Sequence, residues 1–140
     1  MAFERIVVGV DGSDDSWAAF DVALGVAETD GAALTAVHVE YFSAWSSLGL
    51  GATLGDVYEA DEQIRAELVD EAKRRASEGI SLDVVIRKGK PAQTLIAIAE
   101  EVEADLIVVG HRGYGGSTAF LGSVTNEIVH RAPVSVLIAR

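Results

Sequence analysis

The run Arg5-Ile6-Val7-Val8-Gly9-Val10 constrains this chain most. It is apolar and β-branched with no polar alternation, the profile of a strand covered on both faces. It stops at Asp11-Gly12-Ser13-Asp14, residue types that turn a chain, and Ser13 or Asp14 can cap the helix that follows. A strand buried on both sides needs helices above and below it, so the rest of the chain must supply them.

It does so by alternation. Trp17, Phe20, Leu24 and Ala27 recur at helical spacing and Gly31 ends them. Residues 33–39 read as a second buried strand. Ser43, Ser46, Ser47, Gly49, Gly51 and Gly55 break up the stretch 43–55, which reads as a loop with apolar anchors. A long helix is expected over about 56–78, with Ile64, Leu68, Ala72 and Ala76 facing inward and Gly79 stopping it. Residues 81–87 alternate like a strand nearer the edge, with Leu82, Val84 and Ile86 on one side. Pro91 suits the first position of a helix that carries Leu95, Ile98, Ala99 and Val102 inward. A fourth strand over 104–109, a helix over 122–131 and a last strand over 134–139 complete βαβαβαβαβ. The expected fold is α/β: one domain, residues 1–140, an open parallel five-stranded sheet with helices on both faces.

In such sheets a ligand crevice opens at the carboxyl ends of the strands, where the winding reverses. Two strand ends carry marked chemistry, Asp11 after the first and Gly110 after the fourth. Setting those strands side by side gives the order 3-2-1-4-5. After the fourth strand come Gly110-His111-Arg112-Gly113 and, past a flexible stretch, Gly122-Ser123. Glycines let backbone approach a ligand, and unpaired amides at a helix start favour an anion. Ser123 and Thr125 lie on that first turn and can add hydroxyl donors, while Arg112 is the local counter-charge. The same residues can equally make a turn and a cap. Asp11 suits ribose hydroxyls, an adenine amino group or a metal, or else caps the first helix. Val39 ends the second strand and can offer adenine a backbone N–H and C=O, or simply fill core.

Composition removes other chemistries. There is no cysteine, hence no thiolate nucleophile and no zinc site built on sulfur. The net charge of −11, with 22 acidic and 11 basic residues, repels nucleic acid and anionic membranes. No apolar stretch approaches the roughly 20 residues of a membrane span, and the first residues lack a cleavable signal pattern. A cytoplasmic protein is expected. There is no GxxxxGK[ST] and no GxGxxG. His38, His111 and His130 do not form a ligand set: His38 reads as hydrogen-bonded beside the core, and His130 lies near a helix C-terminus. No catalytic residue is assigned and the metal ligands are left open, although Asp11, Asp14 and Asp15 can help hold Mg²⁺ against a triphosphate.

Taken together, Ile6-Val7-Val8-Gly9-Val10-Asp11-Gly12-Ser13, His38-Val39, Leu106 to Gly113, Leu121-Gly122-Ser123-Val124-Thr125 and His130 to Ile138 resemble the universal stress protein family over essentially the whole chain. The resemblance implies the Rossmann-like sheet order above and, in the ATP-binding branch, a G-x2-G-x9-G-[ST] signature. By that analogy Asp11 and the backbone at Val39 contact adenosine. Gly110, Arg112, Gly113, Gly122, Ser123, Val124 and Thr125 line the phosphate side. This chain departs from the signature, since only the eight residues 114–121 separate Gly113 from Gly122. That difference bears on the phosphates more than on adenosine.

The resemblance also implies a homodimer through the last strand. The apolar, uncharged Val134-Ser135-Val136-Leu137-Ile138 is an edge that pairing would cover. The expected function is an ATP, ADP or AMP-binding stress-response regulator that acts by occupancy and dimer conformation, with an unidentified protein partner and no efficient catalysis. Ligand binding would order the 43–55 loop. The alternatives are a slow Mg²⁺-dependent ATP hydrolase and a protein-interaction module that takes no nucleotide.

Overall fold

The computed structural model describes residues 2–40, 54–111 and 122–140, with backbone alone for 54–61. Among the described residues five strands and four helices alternate: β1 Arg5–Gly9, α1 Asp14–Asp30, β2 Ala33–Glu40, α2 Leu54–Arg75, β3 Leu82–Lys88, α3 Pro91–Glu101, β4 Leu106–Gly110, α4 Ser123–Arg131 and β5 Ser135–Ala139. The strands form one parallel sheet in the order β3-β2-β1-β4-β5, as expected from the two marked strand ends. β1 lies at its centre, with Val8 beside Ala36 on β2 and Val108 on β4.

The period-two geometry of the strands divides the core into two layers. Ile6, Val8, Leu34, Ala36, Leu106 and Val108 point toward α1 and α2, where Phe20, Ala23, Leu68 and Ala72 cover them. Val7, Val37, Ile107 and Val109 point the other way, under Leu95, Ile98 and Ala99 of α3 and Ile128 of α4. Continuous apolar strands are therefore a consequence of helices on both faces.

Local signals set several of the element ends. Ser13 caps α1, its hydroxyl accepting the Ser16 N–H at 3.2 Å. Gly31 ends the helix in the left-handed conformation at φ 70°, and the next amide, Ala32, also bonds to the Ala27 carbonyl at 3.1 Å. Pro91 occupies the first turn of α3.

Three expectations change. Leu54 and Gly55 already belong to α2, so the loop expected over 43–55 keeps only 43–53, which lies outside the described residues. α2 ends at Arg75 rather than near residue 78, and Gly79, at φ 87°, serves the turn after it. Ile64 is 47% exposed instead of facing inward; among the described side chains of α2, Leu68 and Ala72 are the ones buried in the core. Phe20 is fully buried and stands edge-on to Trp17, with centroids 5.7 Å apart. Phe20→Ala should cost about 3–5 kcal/mol of folding free energy, read as a lower urea midpoint; a loss under about 1 kcal/mol would contradict this packing.

Candidate functional site

The winding reverses between β1 and β4, the neighbours from which the chain builds outward in both directions. Their carboxyl ends are sewn to different partners. On the β1 side, the Val10 N–H donates to the Val37 carbonyl at 2.8 Å, and the Val10 carbonyl accepts from His38 Nδ1, also at 2.8 Å. Because a carbonyl only accepts, His38 Nδ1 carries a proton. Val10 is thereby tied to β2 on both its polar groups, and Asp11 emerges beyond the sheet.

Asp11 then closes a small network. Its Oδ1 accepts both the backbone N–H of Ser13, at 2.9 Å, and the Ser13 hydroxyl. Its own N–H donates to Ser16 Oγ at 3.2 Å, and the Ser16 hydroxyl donates to the Ser13 carbonyl at 2.9 Å. Ser16, a residue not singled out from sequence, is buried at 6% exposure. The i, i+3 spacing of Ser13 and Ser16 was the signal available for it. Asp11 Oδ2 takes no hydrogen bond from the described residues, so one carboxylate oxygen holds the turn while the other remains available.

On the β4 side, the His111 N–H donates to the Ala139 carbonyl at 2.9 Å, and the His111 carbonyl accepts the Gly122 N–H at 3.0 Å. The Thr125 hydroxyl donates to the Gly110 carbonyl at 2.7 Å, and Thr125 is 5% exposed. Its proton therefore anchors α4 to the end of β4 instead of pointing outward. Gly122 precedes α4 with φ −59° and ψ 154°, and no side-chain hydrogen bond caps that helix among the described residues. Ser123 is exposed and Val124 is 37% exposed.

The structure thus brings Asp11, Gly110, Gly122, Ser123, Val124 and Thr125 to the ends of two adjacent strands. Val39 sits on the neighbouring strand β2. Arg112 and Gly113 lie outside the described residues.

Gly110 has a different reason from the one its sequence context suggests. A Cβ there would lie 2.8 Å from the Asp15 carbonyl oxygen and 2.9 Å from its carbon. The missing side chain admits the first turn of α1 against β4. Gly110→Ala should therefore cost about 1–3 kcal/mol through backbone displacement, measured by urea unfolding; wild-type stability would show that α1 does not approach this closely.

Asp11, Asp14 and Asp15 do not form a prebuilt Mg²⁺ cage: no group of three His, Asp or Glu side chains converges on a cation position among the described residues. A cleft of about 470 Å³ opens at the opposite, amino end of the sheet, with Glu4, Glu28, Glu78 and Arg5 in its lining. Three carboxylates there oppose an anion.

The carboxyl end of β2 carries an ion pair absent from the sequence reading. Arg65 of α2 grips both oxygens of Glu40, Nε to Oε1 and Nη2 to Oε2, the latter at 2.6 Å. The Arg65 hydrogen bonds, opposed by partial burial and aided by the charges of Arg65, His38 and Lys88, hold the Glu40 carboxyl below the ordinary carboxylate range. A depressed pKa stabilises the fold above the unfolded-state value, and that contribution is lost as pH falls through the folded-state value. Arg65 is partly exposed, so solvent screening holds the pair's worth to about 1 kcal/mol. Arg65→Met should lower stability by that amount near neutral pH. The difference from wild type should shrink as the solution is acidified below the ordinary carboxylate range, and a gap that widens in acid would refute the assignment.

An open, doubly wound α/β domain has its crevice at the strand ends where the winding reverses, and here polar residues gather at those ends. The chain belongs to the universal stress protein family, whose model matches residues 2–140. It is 35% identical over 143 residues to a universal stress protein of Thermus aquaticus, covering 99% of each chain. Its fold is similar to that of the universal stress protein UspA from Lactobacillus plantarum, with a TM-score of 0.84, 30% identity, and coverage of 100% of this chain and 99% of that one. It is also similar to a universal stress protein solved in complex with cAMP, with a TM-score of 0.71, 28% identity, and coverage of 100% and 98%. Among the described residues no helix is long and apolar enough to cross a membrane.

Proposed function

We propose that this chain is a cytoplasmic stress-response regulator that binds an adenine nucleotide across the ends of β1 and β4 and acts through occupancy rather than turnover. The observation that carries the reading is the meeting of two half-sites at the winding reversal. One is the Asp11 turn, with Oδ2 available. The other is the start of α4 at Gly122, with no side-chain cap among the described residues. A carboxylate accepts ribose hydroxyls or an adenine amino group, whereas helix-start amides favour phosphate. The two ends of a nucleotide differ in the same way. The relative bound to cAMP supports an adenine nucleotide as the ligand class.

In this reading Asp11 and the Val39 backbone hold adenosine. Gly110, Arg112, Gly113, Gly122, Ser123, Val124 and Thr125 form the phosphate side. The Thr125 hydroxyl contributes indirectly, by fixing α4 to β4. A triphosphate would bring Mg²⁺ with it, because the described carboxylates do not assemble a cation site of their own. The second element of the reading is a homodimer. Among the described strands β5 pairs with β4 alone, and Val136, Leu137 and Ile138 are half-buried in the single chain. Antiparallel pairing of two β5 strands about a two-fold axis would satisfy that edge.

The direct test is mass spectrometry of small molecules released from freshly purified, denatured protein, joined to titration with ATP and AMP. An adenine nucleotide should be released or taken up, and Gly122→Val should weaken uptake by at least about tenfold. Its extended φ and ψ suit valine, so the fold should survive the change. Failure to bind either nucleotide would overturn the reading in favour of a pure interaction module. Light scattering at high micromolar concentration should give the dimer mass; a monomer would remove the β5 interface.

A further inference from the structure

We propose that Glu40 and Arg65 form a latch that positions the end of β2 for the nucleotide, and that a closed latch and an occupied site stabilise each other. This rests on the nucleotide reading above and names a positioning element for it.

Glu40 joins three parts of the molecule. It is the last residue of β2, and its carboxylate is held by Arg65 of α2. Its carbonyl accepts the Gly89 N–H at 3.1 Å, which fixes the turn between β3 and α3. Two residues earlier, His38 ties the same strand end to the Val10 carbonyl just past β1. Val39 therefore lies between two side-chain anchors, one to β1 and one to α2. Its backbone is the proposed adenine contact, and its orientation is set by those anchors.

The anchoring of α2 is uneven. Leu68 and Ala72 are buried at 6% and 1% exposure. Arg75 bonds Asp21 at 2.7 Å and stands 5.1 Å over the Trp17 ring. That half is held by burial and by α1. Over residues 62–67, by contrast, every residue is exposed except Arg65. The described side chains over 62–67 thus add no buried apolar contact, and Arg65 joins this stretch to the end of β2 through a bond that water competes for. Such a bond opens at a cost comparable with what one ligand contact supplies, so ligand and latch can bias one another.

Charge points the same way. The chain carries a net −11, and an uncompensated carboxylate at this strand end would oppose an anionic ligand. Arg65 neutralises it, with Lys88 beside Glu40 in register on β3.

The test compares wild type with Arg65→Met, Glu40→Gln, the double variant and the charge swap Glu40→Arg with Arg65→Glu, all in the full chain. Amide exchange without ligand should rise about tenfold over 62–67 in Arg65→Met and stay unchanged over 68–75. Affinity for adenosine should fall several-fold, and affinity for ATP further, because the single variant also leaves Glu40 unpaired. The double variant should regain the excess ATP loss without regaining adenosine affinity. The charge swap should restore exchange protection. Wild-type exchange over 62–67 in Arg65→Met, or undiminished adenosine affinity despite faster exchange, would overturn the latch. If wild type takes up neither adenosine nor ATP, the nucleotide reading and its coupling fall together. The ligand-free exchange comparison then decides the latch by itself.

Discussion

The close approach of α1 to β4 at Gly110 is the constraint on which the rest of the molecule depends. α1 begins after β1, and its first turn must cross above β4 for the winding to reverse there. Any side chain at residue 110 would meet the Asp15 backbone. With the space left open, Asp11 on one strand and the start of α4 on the next come to share the end of the sheet. The Thr125 hydroxyl on the Gly110 carbonyl then holds the second half against the first. One missing Cβ thus links packing to the geometry of the candidate site.

The strand ends are stitched more densely than a parallel ladder requires. Val10 is tied to Val37 and His38, His111 to Ala139 and Gly122, and Glu40 to Gly89 and Arg65. These bonds continue the sheet's order past its last ladder pairs. A ligand site built on such ends begins with its backbone groups already oriented, which lowers the ordering cost of binding. Residues 62–67 of α2 are exposed apart from Arg65, which joins them to the end of β2.

Much of the architecture was legible in the chain. Continuous apolar runs announced strands covered on both faces, Gly31 and Pro91 marked helix ends, and two chemically distinct strand ends implied the order of the sheet. α2 was less legible: its Ala-rich and charged sequence gives few inward-facing residues, so both its limits and the side taken by Ile64 were misjudged. In the site, the glycines were visible but not the purpose of Gly110, because a Cβ clash depends on a helix almost a hundred residues away in sequence. Glu40 and Arg65, 25 residues apart, carried no signal at all, since each alone is an ordinary charged residue in a strand or helix.

Sequence by itself determined the alternation of elements, the two-faced burial of the sheet and which strand ends carry polar chemistry. These follow from hydrophobic period and from turn and cap residues, which act over a few positions. Only the tertiary structure decided which groups remain available. It assigned Asp11 Oδ1 to its own turn and left Oδ2 over, directed the Thr125 proton into the fold, and matched Arg65 to Glu40. A hydrogen-bonding group is engaged or available according to what packing brings within about 3 Å of it, and that distance is a property of the folded chain.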